Sequence, residues 1–580
     1  MKSLRILLVV SLSIIANAAF ADAVNDFNAL LDEHWEAHLT NNPLEASMNG
    51  DRRFNQQWPD RSLQAIEQQH QQSREFLRRV YAIDRSELSV EDQLNYELLR
   101  RQLQDAVDEH QFKSFLMPFS HRGGIQTLHN ISNRLRFETV QDYDDWLVRL
   151  GKVETLIAQN MELAEKGRKS GYTAPKILMQ RVPDQLQLQI VDYANESPFF
   201  SVFEDLPETF SAAERERIRA EATEILDKSL LPAYKKLNRY FNQDYLPAAR
   251  NSVGQSSLPN GKAWYEHLAR SYTTTRMTPD DIHKLGLQEV KRIREEMQQV
   301  IEEVQFEGSF QDFLIFLRTD PQFYYDNPDD LYQAYLATSK RIDPELVRLF
   351  GKLPRMPYGV KPIPDSIAPD TTTAYYSDPA ADGSRAGIYW VNLYRPEVRP
   401  KYEIEVLSVH EAMPGHHLQI ALQQELSEMP MFRRFMWFTA FVEGWGLYSE
   451  RLGYDLGLYK DPYSRFGQLT YDMWRAVRLV VDTGMHYKGW TRQQAIDFFK
   501  DNAAKAEHDI VNEIDRYIGN PGQALAYKIG QLKMLTLRER AENQLGENFD
   551  IRAFHDEMLG AGALPLDLLE QRMDKWLAAQ

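Results

Sequence analysis

The spacing of apolar residues along the chain predicts helices over most of its length. Leu94 and Leu98 are four residues apart, as are Leu99 and Leu103, a spacing that places these leucines along one face of an α-helix. Helix starts are marked by a threonine or serine cap followed three residues later by an acid or amide: Ser89 with Asp92, Thr139 with Asp142, Thr278 with Asp281, and Thr491 with Gln494. The fold class predicted from these patterns is mainly α.

The region between residues 353 and 400 departs from the helical pattern. It contains prolines at positions 354, 357, 362, 364 and 369, which exclude a helix, while residues 374–376 and 387–392 are of the β-branched and aromatic types common in strands. We predict a small antiparallel sheet at about residues 354–392. Its edge strand would either hold an extended peptide through main-chain hydrogen bonds or be purely structural.

Turn-forming residues between positions 245 and 262 divide the rest of the chain. They predict an N-terminal helical region of residues 22–255 and a catalytic helical region of residues 256–580. Residues 1–21 have the pattern of a signal peptide, because Lys2 and Arg5 precede an apolar stretch and Ala19 and Ala21 flank a cleavage-site phenylalanine. No later stretch is apolar for long enough to span a membrane. We expect a periplasmic or secreted protein with no membrane anchor after cleavage.

Composition narrows the range of partners and metal ligands. Of the 580 residues, 43% are hydrophobic and 26% charged, and the net charge of −17 argues against nucleic acid as a partner, since phosphate binding needs a basic face. The chain has no cysteine. This excludes disulfides, thiolate ligands and a lipid-modified cysteine, so that any metal ion must be held by histidine, aspartate or glutamate.

The candidate chemistry is concentrated in residues 408–417 and in the apolar segment that follows. His410, Glu411, His416 and His417 lie within ten residues, and Glu443 lies on a segment that has no lysine or arginine between positions 434 and 451. A buried carboxylate without a cation is costly unless it binds a metal or takes up a proton. Two imidazoles and a carboxylate suit zinc, with a glutamate left to activate water.

The spacing of the histidines requires a change of chain direction. In the usual zinc-peptidase motif, His-Glu-x-x-His, the two histidines are one helical turn apart, whereas here Pro414 occupies the fourth position after His410. An unbroken helix would separate His410 and His416 by roughly 9 Å along its axis. Pro414 and Gly415 must therefore break or bulge the helix. The candidate ligands are His410, His416 and Glu443, and Glu411 is the candidate base. His417 is the alternative second ligand, or else it contacts substrate.

Residues 410–419 and 443–450, together with segments around 278–286, 482–490 and 521–527, resemble the bacterial family known as domain of unknown function 885. The resemblance extends over most of the mature chain. It implies a large helical zincin-like fold with a deep groove, related to gluzincin-type zinc peptidases in which a later glutamate is the third ligand. Glu443 follows His416 by 27 residues, similar to the gap in helical oligopeptidases. The resemblance therefore implies one Zn²⁺ per chain.

Further polar residues are candidates for completing the site. Arg475, Arg478, Asp482 and His486 share one helical face. Asp482 would orient His486, which would donate a hydrogen bond to an oxyanion. Arg475 or Arg478 would bind a substrate carboxylate, unless the arginines form an ion-pair stripe.

Two residues outside this face complete the list of candidates. The resemblance implies that Tyr527 donates a proton, and the alternative is a buried tyrosine bonded to the backbone. Asn392 would bind a peptide backbone or cap a turn.

These features predict a metallopeptidase that cleaves short peptides in the manner of a carboxypeptidase, dipeptidase or oligopeptidase, with Glu411 activating a metal-bound water. Two alternatives remain: a metal-dependent amidohydrolase with a non-peptide substrate, and a non-catalytic periplasmic binding protein of zincin-like fold. A serine hydrolase is not supported, because the sequence lacks Gly-x-Ser-x-Gly.

Overall fold

The structure, a computed structural model, describes residues 23–365, 368–370, 372–380, 383, 385–503, 505 and 507–580. The predicted signal peptide lies outside the described residues. The described chain is mainly helical, as predicted, and forms two compact units, one ending at Ser252 and the other comprising Val253–Gln580. The division falls close to the predicted boundary at residue 255.

The N-terminal unit consists of helices whose starts carry the predicted caps. Thr139 and Asp142 form a reciprocal capping box, and the Ser89 side chain accepts a hydrogen bond from the Asp92 amide. Two π-helical turns, at Leu226–Leu230 and Phe241–Tyr245, join three helices of this unit into one long rod. The helices are α1 (23–41), α2 (Pro43–Met48), α3 (Leu63–Ala82), α4 (Val90–Glu109), α5 (Val140–Leu150), α6 (Val153–Ser170), α7 (Lys176–Met179), α8 (Val182–Gln187), α9 (Ala212–Ile225), α10 (Leu231–Tyr240) and α11 (Leu246–Ala248).

The C-terminal unit contains the sheet and all of the candidate site residues. Thr278 and Thr491 form the predicted capping boxes with Asp281 and Gln494. Its helices are α12 (Gly261–Thr273), α13 (Pro279–Glu303), α14 (Phe310–Thr319), α15 (Pro328–Ile342), α16 (Ile404–Glu411), α17 (His416–Gln424), α18 (Met431–Arg434), α19 (Thr439–Asp455), α20 (Pro462–His486), α21 (Arg492–Asn502), α22 (Glu507–Gly519), α23 (Leu525–Leu545), α24 (Ile551–Leu559) and α25 (Leu566–Ala579). Among the described residues, no helix has both the length and the apolarity needed to cross a membrane.

The sheet has three strands, β1 (Tyr358–Pro362), β2 (Ala374–Ser377) and β3 (Gly387–Val391), in the order β1-β3-β2. Strand β3 pairs parallel with β1 and antiparallel with β2. The two segments predicted as strands, which are β2 and β3, do pair antiparallel, but the sheet as a whole is mixed and not antiparallel, because β1 adds to the other side of β3 in the parallel direction. Strand β1 ends at Pro362, which has no amide hydrogen to donate to a ladder.

Two close helix contacts hold the C-terminal unit together around the site. A Cβ at Gly286 of α13 would lie 2.7 Å from the Leu479 side chain of α20. A Cβ at Gly444 of α19 would lie 2.6 Å from the Cα of Gly530 on α23. Since neither distance leaves room for a side chain, glycine allows the backbones of these helices to approach closely. Helices α19 and α23 carry Glu443 and Tyr527, so this contact fixes the separation of those two side chains.

Candidate metal centre

The chain breaks its helical course between the two candidate histidine ligands. Helix α16 ends at Glu411, Ala412 and Gly415 adopt non-helical conformations (φ −100°, ψ −108° and φ −75°, ψ −124°), and α17 begins at His416. A side chain at Gly415 would collide with the carbonyl oxygen of His410. The indole N–H of Trp445 donates a hydrogen bond of 2.8 Å to the Pro414 carbonyl, which holds the break against α19.

This break is the one that the spacing predicts, and it brings the candidate ligands together. The imidazole rings of His410 and His416 meet edge to face with centroids 4.7 Å apart. Glu443 Oε2 lies 3.8 Å from His410 Nε2 and 3.6 Å from His416 Nε2. Glu411 joins the group, because ligand atoms of His410, Glu411 and His416 all lie within 4.8 Å of one another.

The donor set fits a zinc ion. In a tetrahedral site with bonds of about 2.1 Å, two ligand atoms are about 3.4 Å apart, only slightly closer than the measured histidine–glutamate distances. The donors are two imidazole nitrogens and a carboxylate oxygen, which suit zinc among the common divalent cations. His410, His416 and Glu443 come from α16, α17 and α19. The residues present could therefore hold one ion with small side-chain adjustments.

A buried carboxylate orients the first of these histidines. His410 Nδ1 and Glu450 Oε1 are 2.8 Å apart, and Arg475 Nη2 lies 3.4 Å from the same oxygen. Glu443, Gly446 and Glu450 occur at positions i, i+3 and i+7 of α19 and so share one face, on which the His410 ring rests. Ligating histidines usually bond through their second nitrogen in this way, which fixes the tautomer.

The charges of the centre are set by burial and by mutual contact. Burial and the proximity of His416 lower the pKa of His410 to about 3. Burial also opposes a charge on His416, but contact with the negatively charged Glu443 raises the His416 pKa to about 9. Against the effect of burial, contact with His416 lowers the pKa of Glu443 to about 2. At neutral pH the positive charge of His416 therefore balances the negative charge of Glu443.

His417 points away from this group. Its Nδ1 lies 2.8 Å from the Tyr376 hydroxyl of β2, and its Nε2 lies 3.0 Å from the carbonyl oxygen of Met356. Both ring nitrogens are thus bonded, and the residue is fully buried. The structure brings His416 to the centre, and His417 anchors α17 to the sheet.

Tyr527 is brought to the centre as expected. Its hydroxyl is near enough to Glu443 to help lower the pKa of that carboxyl, and Gln523 Nε2 lies 3.5 Å from the hydroxyl oxygen. The Arg478 guanidinium stacks on the Tyr527 ring, with Cζ 4.2 Å from the ring centroid. Burial, followed by the charge of Glu443, raises the pKa of Tyr527, so the phenol stays protonated.

Arg475 and Arg478, the two candidate arginines on α20, have different surroundings. Arg475 pairs with Glu450 and lies over the ring of Tyr471, so it supports the carboxylate that orients His410. Arg478 donates from Nε to the Tyr517 hydroxyl (2.8 Å) and from Nη2 to Glu513 Oε2 (3.2 Å). The arginine stripe therefore contains ion pairs, and Arg478 is the member that contacts Tyr527.

His486 and Asp482 do not join the centre. His486 Nδ1 accepts from the Gln255 amide (3.0 Å), and its Nε2 lies 3.0 Å from the carbonyl oxygen of Tyr517. Asp482 accepts from the Tyr265 hydroxyl (2.5 Å) and from the Gly522 amide (3.0 Å). The predicted pairing of Asp482 with His486 is thus replaced by bonds to other groups. His486 is completely buried and cannot donate to an oxyanion in this conformation.

Asn392 follows the central strand, not the edge strand that its sequence position suggested. It is fully buried, and its Nδ2 donates to the carbonyl oxygens of Ala368 (2.8 Å) and Thr372 (3.2 Å). Its Oδ1 accepts from the Tyr394 amide (3.0 Å). These contacts to backbone groups are typical of a residue that caps a turn, which is the second of the two alternatives predicted for Asn392.

Glu450 and Gly446 are the site residues whose roles sequence reasoning missed. The sequence carries a signal for them, a Glu-x-x-Gly-x-x-x-Glu spacing that puts two carboxylates and a gap on one helical face. The ring of His410 fills that gap: a Cβ at Gly446 would lie 2.7 Å from its Cε1 atom.

Comparison with known proteins adds a family and a fold. The sequence model of a family described as "Bacterial protein of unknown function (DUF885)" matches residues 43–573. A crystal structure from Colwellia psychrerythraea, provisionally described as a lipoprotein, is 28% identical with a TM-score of 0.90, over 96% of this chain and 99% of that one. A structure from Shewanella oneidensis, provisionally described as a lipoprotein of unknown function, is 18% identical with a TM-score of 0.74, over 94% and 98% of the two chains. No curated protein matches the chain.

Proposed function

The chain belongs to the DUF885 family of bacterial proteins, and from that premise we propose that it is an exported, zinc-dependent peptidase that acts on short peptides. The observation that carries the proposal is the approach of His410, His416 and Glu443 from three separate helices, with Glu411 beside them. A chance cluster of buried polar groups would not need the further orientation of His410 by Glu450.

Zinc, when bound by these three residues, would polarise a carbonyl group and make a water molecule more acidic. Glu411 is positioned by its place at the end of α16, directly after His410. In the proposed reaction Glu411 accepts a proton from the attacking water, the water oxygen adds to the peptide carbonyl carbon, and the carbon–nitrogen bond breaks. Glu411 then passes its proton to the leaving amine, so that one water is consumed and two peptide fragments leave.

Tyr527 supplies the second polar group of the proposed mechanism. Its neutral phenol can donate a hydrogen bond to the carbonyl oxygen as negative charge develops there, the role that the sequence suggested for His486.

The same residues argue for a catalytic site over a structural one. A structural zinc site is closed by four protein ligands, whereas three ligands with a neighbouring carboxylate leave a position for water. This favours the peptidase over a binding protein of the same fold. An amidohydrolase with a non-peptide substrate would use the same chemistry, and the substrate assay described below separates the two.

Export is proposed from two observations. The similar structure at 28% identity is provisionally described as a lipoprotein, a class of exported protein. The first residues of the sequence have the charge and apolarity of a signal peptide.

The test uses the metal-loaded full chain and a randomised tetrapeptide library read by mass spectrometry. We expect about one zinc ion per chain, cleavage that stops on chelation and returns with zinc, and a loss of about 100- to 10,000-fold in Glu411→Gln with the zinc retained. Glu405→Gln is the matched control, because Glu405 lies on the same helix and pairs with Arg341 on the surface. Zinc-independent cleavage, or normal turnover by Glu411→Gln, would refute the proposal.

A further inference from the structure

Arg478 and Arg516 lie beside Tyr527 and carry two positive charges. Among the described residues, both pair with one carboxylate, Glu513, which neutralises only one of these charges. Arg516 contacts Glu513 through Nε (3.2 Å to Oε1) and Nη2 (3.0 Å to Oε2), and Arg478 Nη2 lies 3.2 Å from the same Oε2. Two guanidinium groups thus share one carboxylate. The hydroxyl of Tyr517 also donates to Glu513, at 2.6 Å, and brings no charge.

The next carboxyl group does not remove this excess. Asp482 is held by the Tyr265 hydroxyl and the Gly522 amide, and burial raises its pKa to about 7. At neutral pH it therefore carries only part of a negative charge. Arg475, one turn before Arg478 on α20, has Glu450 as its own partner.

The arginine pair is in contact with the metal centre through two short side-chain connections. Arg516 Nη1 donates to Gln523 Oε1 (2.8 Å), and Gln523 Nε2 lies 3.5 Å from the Tyr527 hydroxyl, which is near enough to Glu443 to help lower the pKa of that carboxyl. On the other side, Arg478 stacks on the Tyr527 ring. The positive charge is therefore about one phenol ring away from the proposed metal ligand.

Burial distinguishes the two arginines. The side chain of Arg516 keeps 14% of its surface exposed and can meet a ligand directly. That of Arg478 is 5% exposed, and its Nη1 has no hydrogen-bond partner among the described residues. A buried guanidinium nitrogen without an acceptor is costly, and an incoming anion would satisfy it.

We propose that Arg516 and Arg478 form a subsite for a substrate carboxylate, and that the C-terminal carboxylate of a short peptide is the group received there. This proposal rests on the peptidase function proposed above and specifies from which end of the peptide residues are released. A chain advances at most about 3.3–3.6 Å per residue, so a carboxylate held next to Tyr527 belongs to one of the first two residues after the cleaved bond. The enzyme would then release one or two residues from the C-terminal end.

The experiment compares three tetrapeptide libraries with the zinc-loaded full chain: free C-terminal carboxylates, C-terminal amides, and amides whose last residue is glutamate. We expect kcat/KM for the free acids to exceed that for the amides by about 10- to 100-fold, the usual worth of charge-assisted hydrogen bonds. Arg516→Gln should lower kcat/KM for the free acids toward that for the amides and so remove the preference, and Arg478→Lys, which keeps one charge but loses the fork of donors, should reduce it. Equal use of free acids and amides by the wild type overturns the subsite, and a preference for the glutamate amides over the free acids shows that a side-chain carboxylate is received instead.

Lys533→Gln is the matched control, since Lys533 lies on α23 with Tyr527 and pairs with Glu570. It should leave the preference unchanged.

A binding measurement separates this inference from the peptidase function. Equilibrium dialysis of the same libraries against zinc-loaded Glu411→Gln should retain free acids over amides, and Arg516→Gln should abolish the difference. Selective retention without any cleavage by the wild type refutes the peptidase and keeps the carboxylate subsite. Equal retention, or no retention of either library, refutes the subsite.

Discussion

Replacing Gly446 by alanine tests the position of His410 without removing any polar group of the site. Gly446 lies in α19 between Glu443 and Glu450, and the His410 ring rests on it. A Cβ there would be 2.7 Å from Cε1, 3.0 Å from Nε2 and 3.1 Å from Nδ1 of the ring. The new methyl group would therefore press on the face of the ring at Cε1, between the two ring nitrogens.

The size of the effect follows from these distances. Ordinary contact begins at 3.4 Å, so the ring must retreat from 2.7 Å by several tenths of an ångström. Metal–ligand bonds tolerate only about 0.2 Å. We expect zinc affinity to fall by about 10- to 100-fold, the range found when the support of a ligating histidine is disturbed. Overpacking should cost about 1–3 kcal/mol of folding stability, offset by about 0.5–1 kcal/mol because alanine suits a helix better than glycine.

The assay is competition for zinc with a chromophoric chelator, with thermal unfolding of the metal-free protein measured in parallel. Gly151→Ala is the control, because Gly151 has a helical backbone and a Cβ there would lie 3.6 Å from the Val148 carbonyl oxygen, an ordinary contact. It should bind zinc as the wild type does. If Gly446→Ala also kept full zinc affinity and stability, His410 would not be a ligand, and the reasoning would fail.

Three further outcomes are expected. Glu450→Gln should weaken zinc binding by about 10- to 100-fold, because the amide orients His410 less firmly; unchanged affinity in the chelator assay would remove Glu450 from the site. Contact with Glu443 raises the pKa of His416 to about 9 against the effect of burial, so zinc must displace a proton from His416 below that pH. Calorimetry at pH 7 in two buffers should therefore record the release of about one proton when zinc binds. The affinity for zinc should rise with pH up to about 9. A buffer-independent heat would contradict this. Asn392→Ala should cost about 1–3 kcal/mol in urea unfolding and leave zinc binding unchanged; weakened zinc binding would link the sheet to the site.

Local sequence signals were sufficient for the helices and for the break. The caps at Thr139, Thr278 and Thr491 are local hydrogen-bond patterns, and each forms where the sequence predicts it. The break at Pro414 follows from the backbone chemistry of proline and from the requirement that His410 and His416 meet. Both depend on residues only a few positions apart.

Contacts between residues far apart in the sequence could not be predicted from such local signals. The order of the strands depends on which side of β3 each of β1 and β2 occupies, which no alternation of residue types specifies. The partners of His486, Gln255 and Tyr517, are 231 and 31 residues away, so its burial could not be read from its own helix. Charges that compete for one partner, as Arg478 and Arg516 do for Glu513, also become visible only in three dimensions.

Because of the break at residues 412–415, binding of an ion at this centre would depend on how the helices pack against one another. In a single-helix motif two ligands stay in register as long as that helix survives, even in a loosely packed state. Here His410, His416 and Glu443 sit on three different helices, and any slippage between them disperses the donors. Affinity for the ion would therefore measure tertiary packing. It would be lost once the side-chain packing is disrupted, even if every helix remained intact.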